Sequence, residues 1–347
     1  MCVRLRPRLV AGLVAALACF VAAVPVAEAS FAGGNGRIAF ERRGAHGEWT
    51  LWSLDLSSGR EQQLTRVPRV CAGREGTWTD QGASFSASGQ QLVYMHEDAC
   101  DPRRPDGIYV MRSDGTGQRL LLRDRPDKWR VSPALSPGDR WLTFTFESDR
   151  AAREVVTTSF RRPDDARRAV RGFPRYDYQH DPSWSATGRL ALALGTPRRL
   201  SGSHIATVAA NGKDLRLVTR SMRDWQPDWS PTASRIVFRR EAVGSSRRFT
   251  FRGDVFVASA RNRGRRRPRR LTFSRDAFTP VWSPDGRYIA YVRAPDLVSP
   301  NGSLWIMRAT DGQQQRLVAR RAVAGRISWQ PQPPARRSSL HHAARMW

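Results

Sequence analysis

The chain has 347 residues and a formal net charge of +27, and its basic residues are almost all arginine, with lysine only at Lys128 and Lys213. After one leading apolar run no stretch is apolar for long enough to cross a bilayer as a helix. The length suits a single all-β domain with a sizeable interior, and the charge excess favours polyanionic surroundings, although a GC-rich coding sequence would also raise the arginine content.

Arg4, Arg6 and Arg8 precede an apolar run from Leu9 to Val26 that ends in Ala27-Glu28-Ala29. Charged start, apolar middle and small residues at the end describe a signal peptide over 1–29, with the mature chain beginning near Ser30. A retained anchor competes with this reading, because about eighteen apolar residues is borderline for spanning. A lipoprotein fits less well, since Ala16-Leu17-Ala18-Cys19 sets leucine one position off and apolar residues continue past Cys19.

The mature chain repeats. The first unit opens on Gly36-Arg37-Ile38-Ala39-Phe40 and continues with Leu51 to Leu54 and Gln62 to Leu64. The second has four apolar patches, at Ser84-Phe85-Ser86, Leu92 to Met95, Ile108 to Met111 and Leu120 to Leu122. Later units start at Pro133-Ala134-Leu135-Ser136-Pro137-Gly138, Pro182-Ser183-Trp184-Ser185, Pro227-Asp228-Trp229-Ser230-Pro231 and Pro280-Val281-Trp282-Ser283-Pro284-Asp285-Gly286. A period of roughly 45 to 53 residues is what a four-stranded propeller blade needs. Short runs rich in Val, Ile, Leu and aromatics, bounded by Gly, Pro, Asp and Asn, read as strands. The turns at Ser283 to Gly286, Asp114-Gly115, Asn211-Gly212 and Asp311-Gly312 read as hairpins.

The first unit lacks an innermost strand, and Arg326-Ile327-Ser328-Trp329-Gln330-Pro331 is an innermost strand with no blade to follow. Together they predict a six-bladed β-propeller over 30–332, its ring closed by the last strand completing the first blade, so that no sheet edge is left open. Residues 333–347 form a basic tail that reads as disordered. Cys71 and Cys100 are the cysteines left after the leader, and in an exported chain they predict one disulfide, two free buried thiols being the alternative.

At Trp282-Ser283-Pro284-Asp285-Gly286 and Tyr288 to Tyr291 the sequence resembles the TolB-type, WD-like propeller repeat; the copies at 133–138 and 84–89 are degenerate. The resemblance implies an exported six-bladed propeller that engages proteins through loops at one mouth of its channel. The chain departs from TolB in having no α/β domain ahead of the repeats, so the fold is expected to transfer and the partner is not.

Candidate binding residues lie just ahead of the innermost strands. They are Trp78 and Asp80; Asp127, Trp129 and Arg130; Asp177, Tyr178 and His180; Asp224, Trp225 and Gln226; Asp276 and Phe278. Aromatics beside polar groups suit a partner-binding rim stiffened by the Cys71–Cys100 bridge. The plainer alternative has the aromatics packing between blades and the acids capping turns. Between Arg261 and Arg270 runs Arg-Asn-Arg-Gly-Arg-Arg-Arg-Pro-Arg-Arg, either a solvated loop or a polyanion contact.

Catalytic signatures are missing from the sequence. It has no Gly-x-Ser-x-Gly elbow, no phosphate or calcium loop, and histidines scattered apart from His341 and His342 in the tail. The expectation is a non-catalytic exported scaffold without cofactor or metal, monomeric, binding an envelope protein or anionic wall polymer, with peripheral membrane contact allowed and no physiological nucleic acid. The competing functions are a small-molecule hydrolase or lyase at the channel mouth and a sensory module of an envelope complex.

Overall fold

The computed structural model describes residues 31–74, 78–101, 103–124, 128–148, 153–163, 167–168, 178–196, 199–243, 252–296, 299–322 and 325–332. The leader, the tail with His341 and His342, Asp127 and Asp177 lie outside the described residues. Those that are described form strands, with one short 3-10 turn at Pro137–Asp139.

The first unit is β1 (Gly34–Arg43), β2 (Trp49–Leu54) and β3 (Glu61–Gln63). The second is β4 (Trp78–Phe85), β5 (Gln91–Asp98), β6 (Gly107–Arg112) and β7 (Arg119–Arg123), and the third is β8 (Lys128–Leu135), β9 (Trp141–Ser148), β10 (Glu154–Ser159) and β11 (Arg167–Arg168). The fourth comprises β12 (Tyr178–Trp184), β13 (Arg189–Thr196), β14 (Arg199–Ala209) and β15 (Arg216–Leu217). In the fifth are β16 (Asp224–Trp229), β17 (Arg235–Glu241), β18 (Gly253–Ser259) and β19 (Arg269–Arg270); in the sixth, β20 (Ala277–Trp282), β21 (Tyr288–Arg293), β22 (Ser303–Arg308) and β23 (Arg316–Arg320). The final strand, β24 (Ser328–Gln332), pairs antiparallel with β1, matching Ile38 to Trp329 and Ala39 to Ser328. Units three to six are separate four-stranded antiparallel sheets, while the first two are joined by a parallel bridge between Trp49 and Thr79.

The repeat serine has a local task. The hydroxyls of Ser86, Ser136, Ser185, Ser230 and Ser283 accept the N–H of Gln91, Trp141, Arg189, Arg235 and Tyr288 at 2.9 to 3.1 Å, stapling the first hairpin of each unit. Gly286, at φ 71°, makes the positive-φ step that the Ser-Pro-Asp-Gly turn requires.

At the residue before that serine each innermost strand carries a large apolar side chain, Phe85, Leu135, Trp184, Trp229 or Trp282, and in β24 the equivalent is Trp329. Each is buried in a cluster shared with the preceding unit: Phe85 with Ala39 and Leu51, Leu135 with Val93 and Ile108, Trp184 with Val155. Trp229 joins Ala191 and Ile205, Trp282 joins Val237 and Val255, and Trp329 joins Ala290 and Leu304 beside Ile38 and Phe40. The core is therefore a series of wedges between sheets. Truncating one of them would cost about 3–5 kcal/mol.

Candidate functional site

The innermost strands are bulged midway, where the ladder of paired residues skips between Gln81 and Ser84, Val131 and Ala134, His180 and Ser183, Trp225 and Asp228, and Phe278 and Val281. Gly82, Ser132, Asp181, Gln226 and Thr279 stand at the bulges with φ between 45° and 68°. All but Gly82 precede a proline. The sixth equivalent position, counting back from Trp329, is Arg326. A bulge turns a side chain out of the ladder, and here all six residues line one cavity of about 350 Å3.

Arg326 donates from Nη1 to the carbonyl of Ser132 at 3.0 Å and from Nη2 to that of Pro182 at 2.8 Å. Neighbouring bulges are tied in sequence. Asp181 Oδ2 accepts the N–H of Gln226 at 3.2 Å, and Gln226 Oε1 accepts that of Thr279 at 3.0 Å. Asp228 accepts from Ser183 Oγ and from Trp282 N, both at 2.9 Å. Glu41 Oε1 accepts the N–H of Gly82 at 2.8 Å, and a Cβ on Gly325 would fall 1.7 Å from Glu41 Oε2, so any larger residue there would have to displace that carboxyl.

Three acids, Glu41, Asp181 and Asp228, and one guanidinium, that of Arg326, thus share one cavity. Burial pushes Glu41 up to about 8 despite the N–H groups and Arg326 that oppose it, and pushes Asp228 up to about 6. Burial acts on Asp181 in the same direction, but His180, Arg326 and the Gln226 N–H outweigh it and hold that carboxyl below the ordinary range. Arg326 is itself lowered by burial.

The residues expected at the binding rim have a different fate. Asp80 accepts Trp78 Nε1 at 2.7 Å and bonds His96 Nδ1 at 2.8 Å, all three side chains being buried. Asp224 takes both arms of Arg240, at 2.5 and 2.8 Å, and Asp276 binds Arg293 at 2.9 Å. The acid on Arg130 is Asp124, at 2.7 Å, and Arg130 lies over Phe144 and Phe146. Trp78, Asp80, Asp224 and Phe278 therefore offer a partner no surface; they lock the inner hairpins. His180 is buried between Tyr178 and Trp225, at ring distances of 5.3 and 4.7 Å, with Nδ1 on Asp181, and Gln226 belongs to the cavity. Trp129, Tyr178 and Trp225 remain half-exposed. The Cys71–Cys100 disulfide is formed, and Asp98 Oδ1 accepts the N–H groups of Cys100 and Asp101 beside it.

What sequence reasoning missed on this face is apolar. The large hydrophobic side chains exposed among the described residues are Val70, Val243 and Phe273, at 47%, 85% and 73%. Val70 and Phe273 lie on loops leading into β4 and β20, and Val243 lies between β17 and β18. Strand alternation puts all three loops on the same face as Trp225 and Tyr178. The available signal was a phenylalanine within Thr272-Phe273-Ser274-Arg275, a polar loop with no core position for it. Four of the cavity residues, Ser132, Asp181, Gln226 and Thr279, had a signal too, each standing directly ahead of a repeat proline.

Repeated four-stranded antiparallel sheets whose inner strands surround a shared cavity define a β-propeller. No known family's sequence profile matches the chain. It is 38% identical over 80 residues to a Tol-Pal system protein TolB of Novosphingobium aromaticivorans, a stretch covering 23% of this chain and 16% of that protein. The crystal structure of TolB from Acinetobacter baumannii matches with a TM-score of 0.63 at 14% identity, over 86% of this chain and 67% of that one. An oligogalacturonate lyase in complex with manganese shares the fold at a TM-score of 0.51 and 13% identity, over 84% and 82%. The protein is TolB-like in repeat sequence and in fold; the sequence match spans a small part of the relative's length.

Proposed function

We propose that the chain is an exported, non-catalytic scaffold of the cell envelope, a closed six-bladed ring that captures an envelope protein on the face bearing Val70, Val243 and Phe273. The observation that carries the binding face is that exposure of large apolar side chains, among the described residues, is confined to its loops. Such side chains beside half-exposed Trp225 and Tyr178 are the aromatic and apolar anchors that interfaces favour. Ring closure is supported by the β24–β1 pairing and by the cluster that packs Ile38 and Phe40 against Ala290, Val292 and Leu304. Likeness to a Tol-Pal system protein TolB supports export and an envelope protein as partner.

One observation favours a second reading, a small-molecule lyase or hydrolase: Glu41 and Asp228 have raised pKa values inside a cavity. Against it, both carboxyls are already engaged by backbone N–H groups of neighbouring units. Replacing Phe273 and Val243 together by serine tests the scaffold. Capture of envelope proteins by the mature chain is expected to fall at least about tenfold, with the melting temperature unchanged. Unaltered capture would overturn the binding face, and a matching fall in stability would make the two residues packing groups.

A further inference from the structure

The hairpins between the third and fourth strands of the first, second, fourth and sixth units share one design, and the fifth unit breaks it. In the first, second, fourth and sixth units each carries an aspartate, Asp55, Asp114, Asp214 or Asp311, that satisfies the turn or pairs with a nearby arginine. The fifth, from Arg261 to Arg270, has no acid. Asn262 stands near the aspartate position, and its amide points inward, donating to the carbonyls of Val218 at 3.1 Å and Arg266 at 2.8 Å and accepting the N–H of Arg266 at 2.8 Å. Gly264 N adds a bond to Val218 O, and Arg269 reaches the carbonyl of Ala309 in the sixth unit. The loop is therefore held in a fixed shape by its neighbours.

On that frame Arg261, Arg263, Arg265, Arg266, Arg267 and Arg269 are exposed, and none forms an ion pair among the described residues, whereas Arg270 is tied to Asp254. Exposed Arg220 flanks the loop from the fourth unit, its side chain lying against Gly264. Holding so many like charges together unpaired opposes folding, and a fixed cluster of guanidinium groups matches the geometry of phosphate oxygens.

We propose that this hairpin is a docking site for a linear phosphate-bearing polymer, on the face opposite the proposed protein-binding loops and independent of them. A flat anionic membrane fits less well. Exposed Asp114 and Asp214 on the same face would be repelled by it, and residues 261–270 present no large apolar side chain for insertion. The loop also lacks exposed aromatic or amide side chains, so it reads phosphate and not a base.

The test compares the full mature chain with a variant carrying Arg263→Ser, Arg265→Ser, Arg266→Ser and Arg267→Ser, using fluorescently labelled linear polyphosphate as the probe across a salt series. The variant is expected to bind on the order of 100-fold more weakly at low salt, with the slope of log affinity against log salt shallower by about 3, roughly 0.7 per lost contact. A control replaces four exposed arginines elsewhere, Arg60, Arg119, Arg235 and Arg316, by serine and is expected to lose far less. An equal loss in the control would reduce the effect to net charge and overturn the site. Tighter binding of the wild-type chain to phosphatidylglycerol vesicles than to polyphosphate at equal phosphate would overturn it in favour of a membrane surface.

Discussion

Asp228 in the channel and Asp114 in the hairpin between β6 and β7 are both aspartates bonded to a hydroxyl and a backbone N–H, yet they are displaced in opposite directions. Asp228 accepts from Ser183 and Trp282 inside the cavity, and burial carries it up to about 6. Asp114 accepts from the hydroxyl and N–H of Thr116 in solvent, and those bonds hold it below its ordinary value. Hydrogen bonds of similar number and length favour the charged form in both places; desolvation decides the sign. The fold thus sets desolvated carboxyls in the shared cavity and a well-solvated, hydrogen-bonded one, Asp114, at an outer hairpin.

The largest expected effect comes from removing the cation at the centre. Arg326→Met should destabilise the fold by about 3–5 kcal/mol, because it strips a partner from a buried charge cluster and leaves the carbonyls of Ser132 and Pro182 without their donor. Chemical denaturation of the variant against wild type measures this. A loss no larger than that of a surface substitution would mean that the channel acids are held neutral without Arg326.

Glu41→Gln sharpens the same contrast through pH. A carboxyl that titrates near 8 in the fold and near 4.5 when unfolded holds its proton more tightly in the native state, so its contribution is complete below 4.5 and is lost as the pH rises to about 8. The Glu41 carboxyl should therefore cost the wild-type chain on the order of several kcal/mol across that window, and the glutamine variant should lose less by that amount, keeping the smaller loss that Asp228 contributes up to about pH 6. Parallel pH dependence in the two chains would remove Glu41 as the source. Asp114→Asn closes the series with a change within about 0.5 kcal/mol, read from the same denaturation curves.

Much of the fold was legible because the repeat is written in residues with local duties. The serine of each Trp-Ser-Pro-Asp-Gly copy staples its own hairpin, so the degenerate copies at Ser86 and Ser136 still mark their units. The pairing of β24 with β1 followed from one missing and one surplus innermost strand, and the disulfide from a leftover pair of cysteines. The site was less legible. An acid next to an aromatic looks alike in sequence whether it faces solvent or a cross-strand partner, and Asp80, Asp224 and Asp276 all found partners on the adjacent strand. Arg326 and Glu41 gave no local warning, since their roles arise only when strands distant in sequence surround one cavity. The arginine run was conspicuous in sequence, but its rigidity depends on Asn262 reaching a carbonyl in the fourth unit.

The proposed capture of a protein on the face bearing Val70, Val243 and Phe273 is open to photo-crosslinking. A benzophenone side chain placed at position 273 or 243 should give a discrete crosslinked envelope protein in cells, while the same group at position 263, on the opposite face, should give none. Crosslinks absent from 273 and 243, or equally abundant at 263, would contradict the account.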